Sequence, residues 1–366
     1  MKPLRFLVIV AIVLATTVAA AAADFVHPGL INSGERLAVL SRLENDDDNS
    51  ARRRSYYRLL EKDRRFAADY RPEPMAYVIV SAGGSNPKER RFRNDTIAAY
   101  FTALRWVKTG DDRYRATSIA IMNAWAEEFV ALRNDVGTWV EQERLEAAWA
   151  VPIWTNAAEI ILAYKPPQAA ARTEWKDEDV RQFRRFLKRM HAQIGATHNK
   201  PSNQGVSAAL ADMTLGVFDD DRTLYESGLR QMQDLMPRII HPDGEVKELR
   251  KRDCVHPQYS LVGFTQAAQI EVNQTGKSTL MALKRPSDAE PMLAAGIEYM
   301  ARALNEGSDA RDCRAGRLID GFAPIALRLY DGRVRLRELD EVMDSGPPRM
   351  SGLFPEGTAI THGGRQ

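Results

Sequence analysis

The sequence predicts an all-α fold in which antiparallel helical hairpins curl into an incomplete α/α toroid. Three observations carry this. Apolar residues recur at helical spacing along most of the chain, as in Ile97, Phe101, Leu104 and Val107 after Asp95. Short separators rich in turn residues, "TGDD", "KPPQ", "FDDDR", "HPDGE" and "NQTGKS", punctuate them. No fixed-period repeat supports a solenoid instead. Many helices of similar length on short turns form hairpins, and a ring is one arrangement that buries all of them while leaving a groove.

Taken in order, the first residues read as an export signal. Lys2 and Arg5 precede the apolar run "FLVIVAIV", and "TTVAAAAADF" offers small residues for cleavage after Ala23. The run is shorter than the roughly 20 residues a spanning helix needs, so the expectation is a periplasmic or secreted protein with no membrane span once residues 1–23 are removed. Cleavage of 23 from 366 residues leaves 343 and takes Lys2 and Arg5 with it, so 51 basic and 49 acidic side chains become 49 of each. A neutral chain without a basic stripe argues against a nucleic-acid partner. Local clusters remain at "ARRRSYY", "KERRFR" and "ELRKRD"; such runs are mostly solvated, and a minority line a groove for an anion.

The best strand candidate is "AYVIVSAGG". Beyond the hairpin that ends near Phe129, helices are expected around 143–164, 177–195, 204–217, 221–239, 257–275, 288–304 and 317–330. No internal linker divides residues 24–366, which are expected to form one domain with an irregular Gly/Pro-rich tail at 343–366. Cys254 and Cys313 are free to pair in an oxidising compartment, but spacing does not say whether they do. The six histidines, 27, 191, 198, 241, 256 and 362, give no pair at metal-ligand spacing on one helix face. Walker, HExxH, GxSxG and GxGxxG patterns are absent.

Two segments gather chemistry. "LRKRDCVHPQYSLVGF" concentrates titratable groups before a helix, with Pro257 suited to its first turn. This brings Arg252 and His256 to the approach and Tyr259 into the first turn. "ATHNKPSNQGVSAALADMTLGVF" places Asn199, Asn203 and Gln204 before a second helix. Asparagine there is ordinarily a cap, yet an amide beside an arginine also suits a carboxylate ligand.

The pattern resembles the alginate lyase superfamily of polysaccharide lyases. Its carriers are "FVHPGLINSGERLAVLSR", "AAYFTALRWVKTGDDRYRATSIAIMNAWAEEF", "SNQGVSAALADMTLGVFDDDRTLY" and "PDGEVKELRKRDCVHPQYSLVGFTQAAQIEVNQTG". The last keeps the family's Arg-x₆-Tyr spacing as Arg252 and Tyr259. The resemblance implies an α/α toroid and β-elimination in a 4-linked uronic-acid polymer, in the first instance an alginate containing mannuronate. It implies an anionic polysaccharide as partner and no metal or organic cofactor. Asn203 and Arg252 would neutralise the substrate carboxylate, with Gln204 assisting, and Tyr259 would move protons. His198, Trp139 and His27 join the candidate substrate-binding set, though an N-terminal histidine such as His27 also suits a loop anchor. Well-known members follow the asparagine with histidine, whereas this chain has Gln204. That leaves the base and the uronate open, with His256 as an alternative base on glucuronate or guluronate. Two other readings stand beside it. A toroidal glycoside hydrolase would use two of Glu143, Glu146, Glu245, Glu248 and Asp253, and a non-catalytic glycan binder would stack sugars on Trp139, Trp149 or Trp154.

Overall fold

A computed structural model describes residues 24–43, 48–82, 86–137, 141–166 and 172–363. The segment 1–23, expected to be an export signal, and Trp139 lie outside the described residues. Two helices that the apolar rhythm did not announce come first, α1 (Gly34–Ser41) and the highly charged α2 (Asp48–Lys62). A short strand β1 (Tyr77–Val80) lies within the expected "AYVIVSAGG" and pairs in parallel with β2 (Ala131–Asn134), Tyr77 opposite Ala131. The partner strand, "ALRN", has no alternation to betray it.

Four hairpins follow. They are α3 (Pro87–Thr109) with α4 (Asp112–Glu128), and α5 (Gln142–Ala163) with α6 (Asp177–Ala192). Next is α7 (Asn203–Phe218) with α8 (Arg222–Ile239). After the one-turn α9 (Glu248–Lys251), α10 (His256–Thr275) leads through the one-turn α11 (Thr279–Ala282) to α12 (Met292–Asn305). The "TGDD" turn shows how local residues set these boundaries. Gly110 takes φ +69° and donates its N–H to the Trp106 carbonyl, ending α3, and the Asp111 carboxylate then accepts from the Arg113 N–H to start α4.

The first member of each hairpin is buried on nearly every side, whereas α6, α8 and α12 bury one face. These inner helices run parallel. Arg93 meets Glu146 near the starts of α3 and α5, and Trp106 meets Tyr164 near their ends. Asn203 and Ser260 share Glu248 at the starts of α7 and α10, and one turn on Gly263 lets α10 approach Val206, whose Cγ1 lies 2.4 Å from where a Cβ would stand. The architecture is an α/α toroid, with the inner helices beginning at one end and finishing at the other.

The finishing end is closed by residues 24–33. Gln274 donates to the carbonyls of Val26 (3.0 Å) and Gly29 (2.8 Å), and the Ile31 N–H donates to Asn156 Oδ1 (3.3 Å). The ring is completed by α13 (Ala323–Leu329), α14 (Arg337–Ser345) and the one-turn α15 (Thr358–Thr361). Gln266 of α10 donates to the carbonyls of Gly321 (3.0 Å) and Pro355 (2.8 Å), and Arg53 of α2 donates to that of Ile360. The helix expected over 317–330 is confined to Ala323–Leu329, because the Asp320 carboxylate turns inward to accept from Gly357 N–H (2.8 Å) and Thr358 Oγ1 (2.9 Å). Likewise the helix expected from 288 starts at Met292, after Pro291. Between α14 and α15 the tail has no helix, yet Leu353, Phe354 and Glu356 are buried in it.

Candidate active site

At the beginning end, the head of α10 is a fixed piece of backbone. The Asp253 carboxylate accepts from the N–H groups of Val255 and His256, both at 2.8 Å, and from His256 Nδ1 at 2.7 Å. Burial opposes this carboxylate's charge, but the two backbone donors and the imidazole outweigh it and hold its pKa below the usual range. Pro257 occupies the first turn. A disulfide joins Cys254 to Cys313, Cα to Cα 5.7 Å, and ties this loop to the segment before α13. The pairing left open by spacing is therefore made.

Tyr259 packs edge to face on Trp149 of α5 (5.9 Å between centroids) and on His256 (5.5 Å), with Phe354 of the tail at 5.7 Å. The nearby guanidinium that acts to lower the phenol's pKa belongs to Arg93 rather than Arg252. Burial is the larger influence, so Tyr259 is held protonated above its ordinary range, with Arg93 pulling the other way. Arg252 is exposed on the loop ahead of α10 and forms no ion pair among the described residues.

The head of α7 abuts this wall. The cap is Ser202, whose Oγ accepts from the Gln204 N–H, so neither asparagine caps the helix. Asn203 is instead completely buried within the first turn. Its backbone N–H (2.9 Å) and Nδ2 (2.6 Å) both donate to the Glu248 carboxylate, which also accepts from Ser260 Oγ (3.1 Å). Glu248 thus locks Asn203 against the residue next to Tyr259. Asn203 Oδ1 and Trp149 Nε1 are buried and have no hydrogen-bond partner among the described residues. Gln204 is half-buried beside them.

Residues 44–309 match the family model described as alginate lyase. That is well over half of the sequence. The chain belongs to the alginate lyase family. Among solved structures, a Tyr-to-Phe variant of alginate lyase A1-III complexed with tetrasaccharide is 16% identical with a TM-score of 0.70, covering 94% of this chain and 98% of that one. Alginate lyase A1-III from Sphingomonas species A1 is 17% identical with a TM-score of 0.68 over the same shares. An alginate lyase from Bacteroides ovatus is 9% identical with a TM-score of 0.64, covering 92% and 99%. At these identities the structures establish the shared fold. No curated protein matches the chain.

As a member of the alginate lyase family the protein is a polysaccharide lyase. The carboxylates a hydrolase would require are engaged otherwise. Glu146 and Glu89 clamp Arg93 at 2.5 and 2.6 Å, Glu245 holds Arg250 at 2.8 Å, and Glu248 and Asp253 position Asn203 and His256. Glu143 accepts from the Glu141 N–H at the start of α5. Burial and the neighbouring Glu146 push Glu89 up to about 7, whereas Arg93 stays firmly charged between the two. Trp149 lines the site; Trp154 lies in the core against Phe183 and Phe186.

Other expected site residues fall elsewhere. His198 points along α7 to Asp212, nine residues past Asn203 and so about 13 Å farther along the helix. His27 sits at the opposite end of the ring, between Glu159 (2.7 Å) and Asp220 (3.2 Å). The residues that sequence reasoning missed, Arg93, Glu248 in its positioning role, and Phe354, come from segments 45 to 95 positions from their site partners Glu146, Asn203 and Tyr259. "KERRFR" offered Arg93 among four basic side chains with nothing to single it out.

Proposed function

We propose that this protein cleaves alginate at mannuronate by β-elimination, taking up and delivering protons from one side of the sugar. The chemical obstacle is the weak acidity of the proton at C5, and that acidity rises once the adjacent carboxylate is neutralised. Asn203, its amide fixed by Glu248, and the exposed Arg252 are suited to that carboxylate, with Gln204 alongside. Arg93 adds fixed positive charge beside Tyr259.

The observation that carries the reading is the edge-to-face contact between His256 and Tyr259 at 5.5 Å. Two rings in contact leave no room for a sugar between them, so both address a substrate from the same wall. In mannuronate the C5 proton and the departing O4 lie on the same face. His256, with Nδ1 on the Asp253 carboxylate, turns Nε2 outward as a base for the C5 proton. Tyr259, kept protonated by burial, is suited to protonating O4. A second reading has support from Arg93, which favours the phenolate: Tyr259 performs both transfers in turn.

The test is the ultraviolet absorbance of the unsaturated uronate product on polymannuronate, polyguluronate and a glucuronate polymer. Polymannuronate should give the fastest rise. A preference for guluronate or glucuronate would overturn the same-face scheme, and no rise on any of them would leave a glycan binder. Export to an oxidising compartment is part of the proposal and is supported by the Cys254–Cys313 bond; N-terminal sequencing of the protein from its host should begin near Asp24.

A further inference from the structure

Away from Tyr259, three side chains with no part in the proposed chemistry converge on one point. His191 closes α6, His198 lies in the single turn 195–199, and Asp212 lies midway along α7. His191 Nε2 is 2.6 Å from Asp212 Oδ1, and His198 Nε2 is 3.1 Å from the same oxygen and 3.0 Å from Oδ2. All three ligand atoms lie within 4.8 Å of one another. We propose that His191, His198 and Asp212 bind a divalent transition-metal ion of the zinc class, with water as the fourth ligand.

The geometry of His198 argues for this. Its Nδ1 lies 2.8 Å from the Gly195 carbonyl, which only accepts, so Nδ1 carries the hydrogen. In the neutral ring the Nε2 lone pair is then aimed at a carboxylate, an arrangement that a cation between them makes favourable. An imidazole fixed through its far nitrogen to a backbone carbonyl is also how metal-binding histidines are generally held. Asp212 is buried, and its only partners among the described residues are the two imidazoles. Both imidazoles keep about a quarter of their surface exposed, His191 21% and His198 26%, so an ion has a way in.

Tetrahedral zinc with bonds of about 2.0–2.1 Å sets its ligand atoms roughly 3.3 Å apart, which side-chain rotations of about an ångström reach from here. Two imidazoles and a carboxylate suit zinc, and cobalt as its spectroscopic substitute. The ion would tie α6 to α7 through the turn that runs via Lys200–Ser202 into Asn203, and Gln231 of α8 already holds this turn at the His198 carbonyl. Its role is therefore structural support of the α7 head.

The experiment uses the full chain without an affinity tag, stripped with a chelator and titrated with Zn(II) by calorimetry, with thermal unfolding followed in parallel. One Zn(II) per chain should bind and raise the melting temperature, and Co(II) should give the visible absorption of a tetrahedral site. His191→Gln and His198→Gln, both at positions about a quarter exposed, should each weaken binding at least about tenfold while the stripped proteins remain folded. No uptake by the folded chain at micromolar zinc, or uptake unchanged in both variants, would overturn the assignment. Metal content and melting temperature are read without reference to turnover, so the outcome is independent of the lyase mechanism.

Discussion

The two ends of the inner ring are built from the same helices and treat their polar groups in opposite ways. At the finishing end, residues 24–33 consume hydrogen-bonding capacity: Gln274, Asn156 and Glu159 are all spent on that segment, and His27 sits between two carboxylates. At the beginning end, capacity is held back. Asn203 Oδ1 and Trp149 Nε1 are unpartnered among the described residues, Arg252 is exposed, and His256 has one nitrogen fixed and the other turned outward. Groups satisfied by the fold stabilise it; groups positioned but unsatisfied are available to a ligand. Substitutions at the two ends should therefore separate turnover from stability.

The largest effect is expected at Tyr259. Tyr259→Phe keeps the ring contacts with Trp149, His256 and Phe354 and removes only the hydroxyl, so turnover should fall by about 10²–10⁴ with the melting temperature almost unchanged. Near-normal turnover would take Tyr259 out of the chemistry. Next is His256→Ala assayed on polymannuronate. A loss of about a hundredfold or more fits His256 as the base, whereas a loss under tenfold assigns both transfers to Tyr259. Stability should respond more modestly to the paired change Cys254→Ser with Cys313→Ser. Losing the bond should cost about 2–4 kcal/mol in denaturant unfolding, and kcat should fall too, because the loop that sets Asp253 against His256 is released.

His27→Ala probes the other end. Stranding the buried Glu159 should cost about 1–3 kcal/mol, with kcat within about twofold of the parent. A folded variant with abolished activity would erase the distinction between the ends. The smallest effect is a pH dependence. The hydrogen bond to Glu159 outweighs burial and raises His27 to about 9. A raised pKa adds stability that is complete below the unfolded value of 6.5 and fades as pH climbs through 9. Between these limits the parent should lose stability with rising pH more steeply than His27→Ala; parallel slopes would remove the ion pair from the account.

How much of this was legible depends on how local each feature is. The hairpins were readable because burial imposes helical spacing and because "TGDD" and "NQTGKS" contain the glycines, Gly110 and Gly276, that end α3 and α10 at positive φ. The charged α2 was not, since its packing is set by α15 from the far end of the chain. The head of α10 announced itself by crowding titratable groups into one loop. The guanidinium beside Tyr259 did not, because Arg93 is selected by Glu146 and Trp149, more than 50 residues away. Arg252 was favoured by its spacing to Tyr259, a one-dimensional relation that does not report which way a loop side chain faces.

The tail has a consequence for biosynthesis. Phe354 lies against Tyr259, Pro355 is bonded to Gln266, and Ile360 receives Arg53 across 307 positions. During synthesis, the first helices must wait for residues 354–360 before the ring can close. Contacts this distant in sequence make a slow final folding step, and until it occurs the wall behind Tyr259 is incomplete. A nascent or C-terminally clipped chain would hold most of its helices and little activity.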